Sequence, residues 1–144
     1  MLTLRSCAIW LIAILSILSG RVLAADEPAG DLFTRLNAKV KEGQPFQLLV
    51  RIKLKPGTEA RFAAEAAKAA KGTAGEPGCD MYSFFEDREQ PGTVILFEKW
   101  KNTAALKSHI EQPYIKTFLA FMNEIGTAPS VNLLGVLSEA KPAP

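Results

Sequence analysis

Histidine and cysteine are almost missing from this sequence: of 144 residues one is a histidine, His109, and two are cysteines, Cys7 and Cys79. No cluster of these residues has metal-ligand spacing, so no metal is expected. Long hydrophobic runs are also missing. The longest, Cys7 to Leu18, is about 12 residues and broken by Ser16, against the ~20 that a membrane-spanning helix needs. Charge of one sign is scarce too, with 17 basic and 15 acidic residues.

The run that is present has a different use. A basic start ending at Arg5, the apolar stretch, then Ser19, Gly20 and Val22-Leu23-Ala24 before Ala25 form the three-part layout of a secretory signal peptide. Residues 1–24 are therefore expected to be removed after Ala24, giving an exported protein, periplasmic or secreted, with no stable membrane insertion. Arg5 and Arg21 would leave with it, so the remaining 15 basic residues balance the 15 acidic ones. A neutral domain has no long-range field to gather phosphates, and nucleic acid is not an expected partner. Cys7 would leave as well, so an intramolecular disulfide is excluded; Cys79 is expected as a small buried apolar residue, the alternative being an intermolecular disulfide or a reactive thiol.

Residues 25–45 form an N-terminal extension in which Leu32, Phe33, Leu36 and Val40 recur at helical spacing, predicting a short, loosely attached helix. The compact domain is expected over 46–138, followed by a disordered tail, 139–144, that contains two prolines. Phe46, Leu48, Val50, Ile52 and Leu54 alternate with polar positions, a half-buried strand that stops at Lys55-Pro56-Gly57. Thr58 is placed to cap an alanine-rich helix ending at Gly72, and Gly75-Glu76-Pro77-Gly78 is a turn. Strands follow over Cys79–Glu86 and Thr93–Trp100. Thr103 then caps a helix that Pro113 kinks or restarts, Gly126 caps its end, and Val131–Leu137 is the last strand.

The order is β-α-β-β-α-β, an α+β ferredoxin-like fold. Helices cover one sheet face. The other carries Leu49 and one apolar face each of the second and third strands, too apolar to stay wet, so a homodimer is expected.

Lys55-Pro56-Gly57, Glu76-Pro77-Gly78-Cys79 leading to Tyr82, Phe97-Glu98-Lys99-Trp100, and Ala105-Leu106 with His109 and Pro113 together resemble the antibiotic-biosynthesis monooxygenase family. The likeness runs from about Phe46 to Leu134. It implies a dimeric α/β barrel with a pocket between sheet and helices. It also implies activities that include cofactor-independent oxidation of quinols and polyketide anthrones. Two departures stand out. Tyr114 occupies the position where quinol-oxidising members often carry a second histidine. The Asn, Trp and His of the haem-degrading branch fall on Val50, His109 and Leu119, so haem degradation is disfavoured.

His109 lies on the apolar side of its helix and is the candidate catalytic base, since a neutral imidazole titrates near working pH. The alternative is a structural histidine bonded at the core edge. Tyr82, Trp100, Tyr114 and Phe118 are candidate walls of a substrate pocket, or plain core. Glu98 interrupts an apolar strand on the same face as Trp100. It is either paired in the dimer interface or partly desolvated with a raised pKa, with a structural hydrogen bond to Arg51 or Lys53 the favoured role. Gly72, Gly75 and Gly78 end a helix rather than open one, which excludes a dinucleotide fingerprint. The third strand lacks the basic-Gly-aromatic run that stacks RNA bases. The expected function is a cofactor-independent monooxygenase of a small aromatic quinol- or anthrone-like compound. The alternative is a non-catalytic dimer that binds a small hydrophobic ligand.

Overall fold

The computed structural model of the chain describes residues 32–125 and 128–138. The expected signal peptide, the start of the extension, the Gly126 cap and the 139–144 tail lie outside the described residues. In chain order the elements are α1 (Leu32–Lys39), β1 (Phe46–Lys53), α2 (Glu59–Thr73), β2 (Cys79–Glu86), β3 (Thr93–Trp100), α3 (Thr103–Ile110), α4 (Pro113–Ile125) and β4 (Ser130–Leu134). The sheet is antiparallel, in the order β2-β3-β1-β4. This is the expected α+β ferredoxin-like topology, with its second helix broken in two. The break follows from Pro113, which has no N–H to donate and is tolerated only in a first turn, so it opens α4 instead of continuing α3.

Register fixes which side chains share a face. Phe46 pairs with Trp100, Leu48 with Glu98 and Val50 with Leu96, while Tyr82 pairs with Glu98 and Phe84 with Leu96. These residues look toward the helices. The core forms where they meet Phe62, Ala66 and Ala69 of α2, Leu106 of α3, and Ile115, Phe118 and Met122 of α4. On the opposite face Met81 and Phe85 of β2 are exposed, Phe85 by 48%. Leu134 of β4, at the far edge of the sheet, is exposed on the same face, and Leu49, Ile95 and Phe97 are half-buried between them. That face is open in the single chain, its apolar side chains set among Gln47, Arg51, Lys53 and Lys99.

Local chemistry corrects several expectations. Thr58 does not cap α2: its backbone is helical and its hydroxyl donates to the Lys55 carbonyl at 2.7 Å. The cap of α3 is Asn102, not Thr103. The Asn102 Oδ1 accepts the Ala105 N–H at 2.9 Å, satisfying a donor left free in the first turn. Helix α2 passes through Gly72 and ends at Thr73, while β4 ends at Leu134, earlier than expected. Helix α1 is not loosely attached. Leu36 is fully buried, Arg35 Nη2 donates to the Val131 carbonyl at 2.7 Å, and the Lys107 ammonium lies 5.8 Å from the Phe33 ring centre.

Candidate functional site

Strand alternation sends Tyr82, Glu98 and Trp100 to the helix-facing side of the sheet at one end, and α3 lowers His109 onto them. His109 is 3% exposed. Its ring centre is 4.7 Å from that of Trp100 and 5.1 Å from that of Tyr82. The turn between α2 and β2 brings Glu76 to the other side of the imidazole, with Nδ1 2.9 Å from Glu76 Oε1. Tyr114, from the first turn of α4, donates its hydroxyl to the same carboxylate oxygen.

Burial dominates the electrostatics. It pulls the His109 imidazole below its ordinary value, against the hydrogen bond and charge of Glu76. His109 is therefore neutral at pH 7. Glu98, 6% exposed, is pushed up to about 7 by burial, and the Trp100 indole N–H that donates to its Oε2 at 2.7 Å pulls it part of the way back. The Tyr82 phenol is raised far above its ordinary value, first by burial and then by the Glu98 charge. Tyr114 is pushed up to about 12, by burial and by the bond to Glu76. Both phenols stay protonated at neutral pH.

Beside this cluster a groove of about 590 Å³ runs between α2 and β2. Its walls are Phe62, Phe84, Tyr82 and the small side chains of Ala63, Ala66 and Ala67. Phe84 meets Phe62 edge-on at 5.9 Å and Tyr82 at 5.5 Å. A smaller cleft on the outside of the α2–β2 turn is lined by Glu76, Lys101, Asn102 and Ser108. His109 lines neither.

Four of the expected site residues, His109, Tyr82, Trp100 and Tyr114, come together. Phe118 does not join them. It lies one helical turn beyond Tyr114, about 6 Å along the axis, and packs on Phe62 and Phe84 instead. Glu98 pairs with neither Arg51 nor Lys53, because both occupy the opposite sheet face. Arg51 bonds Asp87 at 2.9 Å and Lys53 bonds the Pro91 carbonyl at 2.8 Å. Cys79 is half-buried rather than buried, its thiol donating to the Met81 carbonyl and pushed up to about 11 by burial. Glu76 was not singled out from sequence, being one residue of a Gly-Pro turn. The hint was its place in Glu76-Pro77-Gly78-Cys79, one of the runs that carry the family resemblance. Among the described residues no group of acidic, His and Cys side chains is arranged to hold a metal.

The fold and the cluster define a ferredoxin-like α+β domain with a buried imidazole near an apolar groove. The antibiotic biosynthesis monooxygenase family model matches residues 45–120. The chain belongs to that family. It is 35% identical over 78 residues to a Bacillus subtilis protein named "Putative monooxygenase YcnE", a match covering 54% of this chain and 82% of that one. It is 36% identical over 75 residues to the protein sll1783 of Synechocystis, covering 52% of this chain and 51% of the relative, so the likeness spans about half that relative's length. Among solved structures, Rv0793 from Mycobacterium tuberculosis superposes with a TM-score of 0.62 at 25% identity, over 68% of this chain and all of that one (100%). A Caulobacter crescentus family structure gives 0.64 at 23% identity, over 73% of this chain and 99% of that one, which bears on the fold alone.

Proposed function

We propose that the chain is an exported, homodimeric oxygenase that oxidises a small quinol- or anthrone-like compound with O2 and without a bound cofactor. One observation carries the proposal. Tyr82 walls the groove on one side and packs on His109 on the other, so an apolar space of ring size adjoins a buried neutral imidazole. In such a reaction the substrate supplies the electrons. A deprotonated anthrone passes them to O2; one oxygen atom enters the product as a carbonyl, and the other leaves as water with the two methylene hydrogens. The protein then has to bind the ring, take a proton and exclude bulk water.

His109 is the base in this reading, and Tyr82 is the ring that must swing aside to bring the substrate within reach of it. Trp100 and Tyr114 hold the imidazole, and Phe118 backs the aromatic wall formed by Phe62 and Phe84. Homodimerisation is supported by the apolar side chains on the open sheet face, and export by the pattern of the first residues. The packing of His109 favours a second reading, a non-catalytic binder of a small hydrophobic ligand, because the imidazole opens on neither cleft and Tyr82 must move before a substrate reaches it.

Oxygen uptake by the purified, metal-stripped protein with a panel of hydroquinones and anthrones separates the two. Uptake above the uncatalysed rate that drops ~10²-fold or more in His109→Ala is the expected result. No uptake with any compound, from a folded protein that still binds an apolar dye, would leave the ligand-binding reading in its place.

A further inference from the structure

The surroundings of His109 hold more order than a buried ring requires. A carboxylate only accepts hydrogen bonds, so the 2.9 Å contact of Nδ1 with Glu76 Oε1 puts the proton of the neutral imidazole on Nδ1. The second nitrogen, Nε2, is then an unprotonated acceptor, with no hydrogen-bond partner among the described residues. An unmade bond at a buried acceptor costs stability, and a purely structural histidine would be expected to satisfy both nitrogens.

The carboxylate that sets this arrangement is itself held. Tyr114 donates to the same Oε1 and stays protonated well above neutral pH, so it acts only as a donor there. The Tyr114 ring lies directly on the backbone of α2 at Gly72, where an added Cβ would come within 2.6 Å of ring carbon Cε2. The turn is fixed on its other flank by Gly78, where a Cβ would meet Ala105 Cβ at 2.2 Å. Backbone bonds close it, with the Glu76 N–H on the Thr73 carbonyl at 2.9 Å and the Cys79 N–H on the Glu76 carbonyl at 3.1 Å. Two glycines let two helices press on one turn, and that turn presents a single carboxylate oxygen.

We propose that Glu76, steadied by Tyr114, is a positioning residue that holds His109 as its Nδ1–H tautomer and keeps Nε2 free as the proton acceptor. The use of Nε2 in a reaction rests on the oxygenase reading; the tautomer does not. The other rings around the imidazole are those of Tyr82 on β2, Trp100 on β3 and Tyr114 on α4; the Trp100 indole N–H is committed to Glu98 and the Tyr114 hydroxyl to Glu76. Glu76 is thus the only carboxylate bonded to the ring among the described residues.

His109 is the sole histidine, so the untagged, 15N-labelled protein gives one imidazole spin system without assignment. Two-bond proton–nitrogen correlation at pH 8 is expected to show a protonated Nδ1 and an unprotonated Nε2. Glu76→Ala is expected to move the ring to Nε2–H or to an exchanging mixture, Tyr114→Phe to shift it part of the way, and Glu76→Asp to restore it at least partly. Nε2–H in the unaltered protein overturns the proposal with no variant needed. An unchanged Nδ1–H in a folded Glu76→Ala protein overturns it as well. Should the unaltered protein consume oxygen, Glu76→Ala lowers kcat about tenfold or more with little change in KM. Should it consume none while the tautomer follows Glu76, the oxygenase reading fails and the positioning role stands.

Discussion

The two flanks of the helical layer are built from similar chain and finish differently. Over β1 and β4, α1 drives Leu36 into the core and Arg35 ties it to the backbone of the edge strand, leaving a cleft of about 510 Å³ only past the end of the helix, against Val40, Phe46 and Leu133. Over β2 the layer stays open, because α2 presents Ala63, Ala66 and Ala67 where α1 presents leucine and phenylalanine. Small side chains let the α2 backbone approach the sheet yet leave the space above Phe84 unfilled. The filled core under α1 and the groove beside α2 thus follow from side-chain volume rather than from topology. Helix α1 lies outside the stretch that matches the family, which begins at residue 45.

The comparison is tested hardest at Leu36. Leu36→Ala removes a fully buried side chain and leaves a cavity where α1 meets the core, at an expected cost of about 2–5 kcal/mol. Urea denaturation reads it directly. A loss below about 1 kcal/mol would mean that α1 rests on the domain without sealing it.

How much of this was legible beforehand depended on the range of the interaction. Period-2 alternation in Phe46–Leu54 gave the buried side of β1, and turn residues gave the ends of β2 and β3, because neighbours in sequence decide both. The same alternation, carried across the strand pair, would have shown that Arg51 and Lys53 lie on the wrong face to reach Glu98. Tyr114 and Phe118 share a helix face, yet one turn of rise separates the His109 cluster from the Phe62–Phe84 wall, and the position of that division depends on where α4 begins. The bond from His109 to Glu76 joins residues 33 apart through a turn whose composition signals only a turn. No periodicity carries such a contact.

A second test concerns the polar end of the core. Glu98 has an ordinary value of 4.5 and is pushed up to about 7 in the fold. Below pH 4.5 folded and unfolded chains both hold its proton; between 4.5 and 7 the unfolded chain releases it and the folded chain keeps it. Its contribution to stability therefore falls as pH rises through that window, by on the order of 3 kcal/mol, and is level above it. His109 acts in the opposite sense: its folded value is below 6.5, so stability is lost as pH drops under 6.5 and the unfolded chain takes up a proton. Glu98→Gln retains an acceptor for the Trp100 indole and removes only the first effect. Its stability relative to the unaltered protein is expected to rise from pH 5 to pH 7 and then stay constant. Parallel curves across that range would mean that Glu98 is ionised in the fold.

The smallest expected change in stability comes from the open flank, where it separates shape from energy. Ala63 lines the groove and is exposed on α2, so Ala63→Leu adds volume over Phe84 without displacing buried atoms. Stability is expected to move by no more than about 0.5 kcal/mol, since exposed positions on a helix tolerate such exchanges and leucine is nearly as good a helix former as alanine. Binding of Nile red, a neutral flat dye, is expected to fall several-fold while the fold persists. Unchanged binding would place the apolar ligand elsewhere, with the open sheet face as the next surface of suitable chemistry. A large loss of stability would instead show that the alanines are needed for α2 to approach β2, making the groove a by-product of close packing.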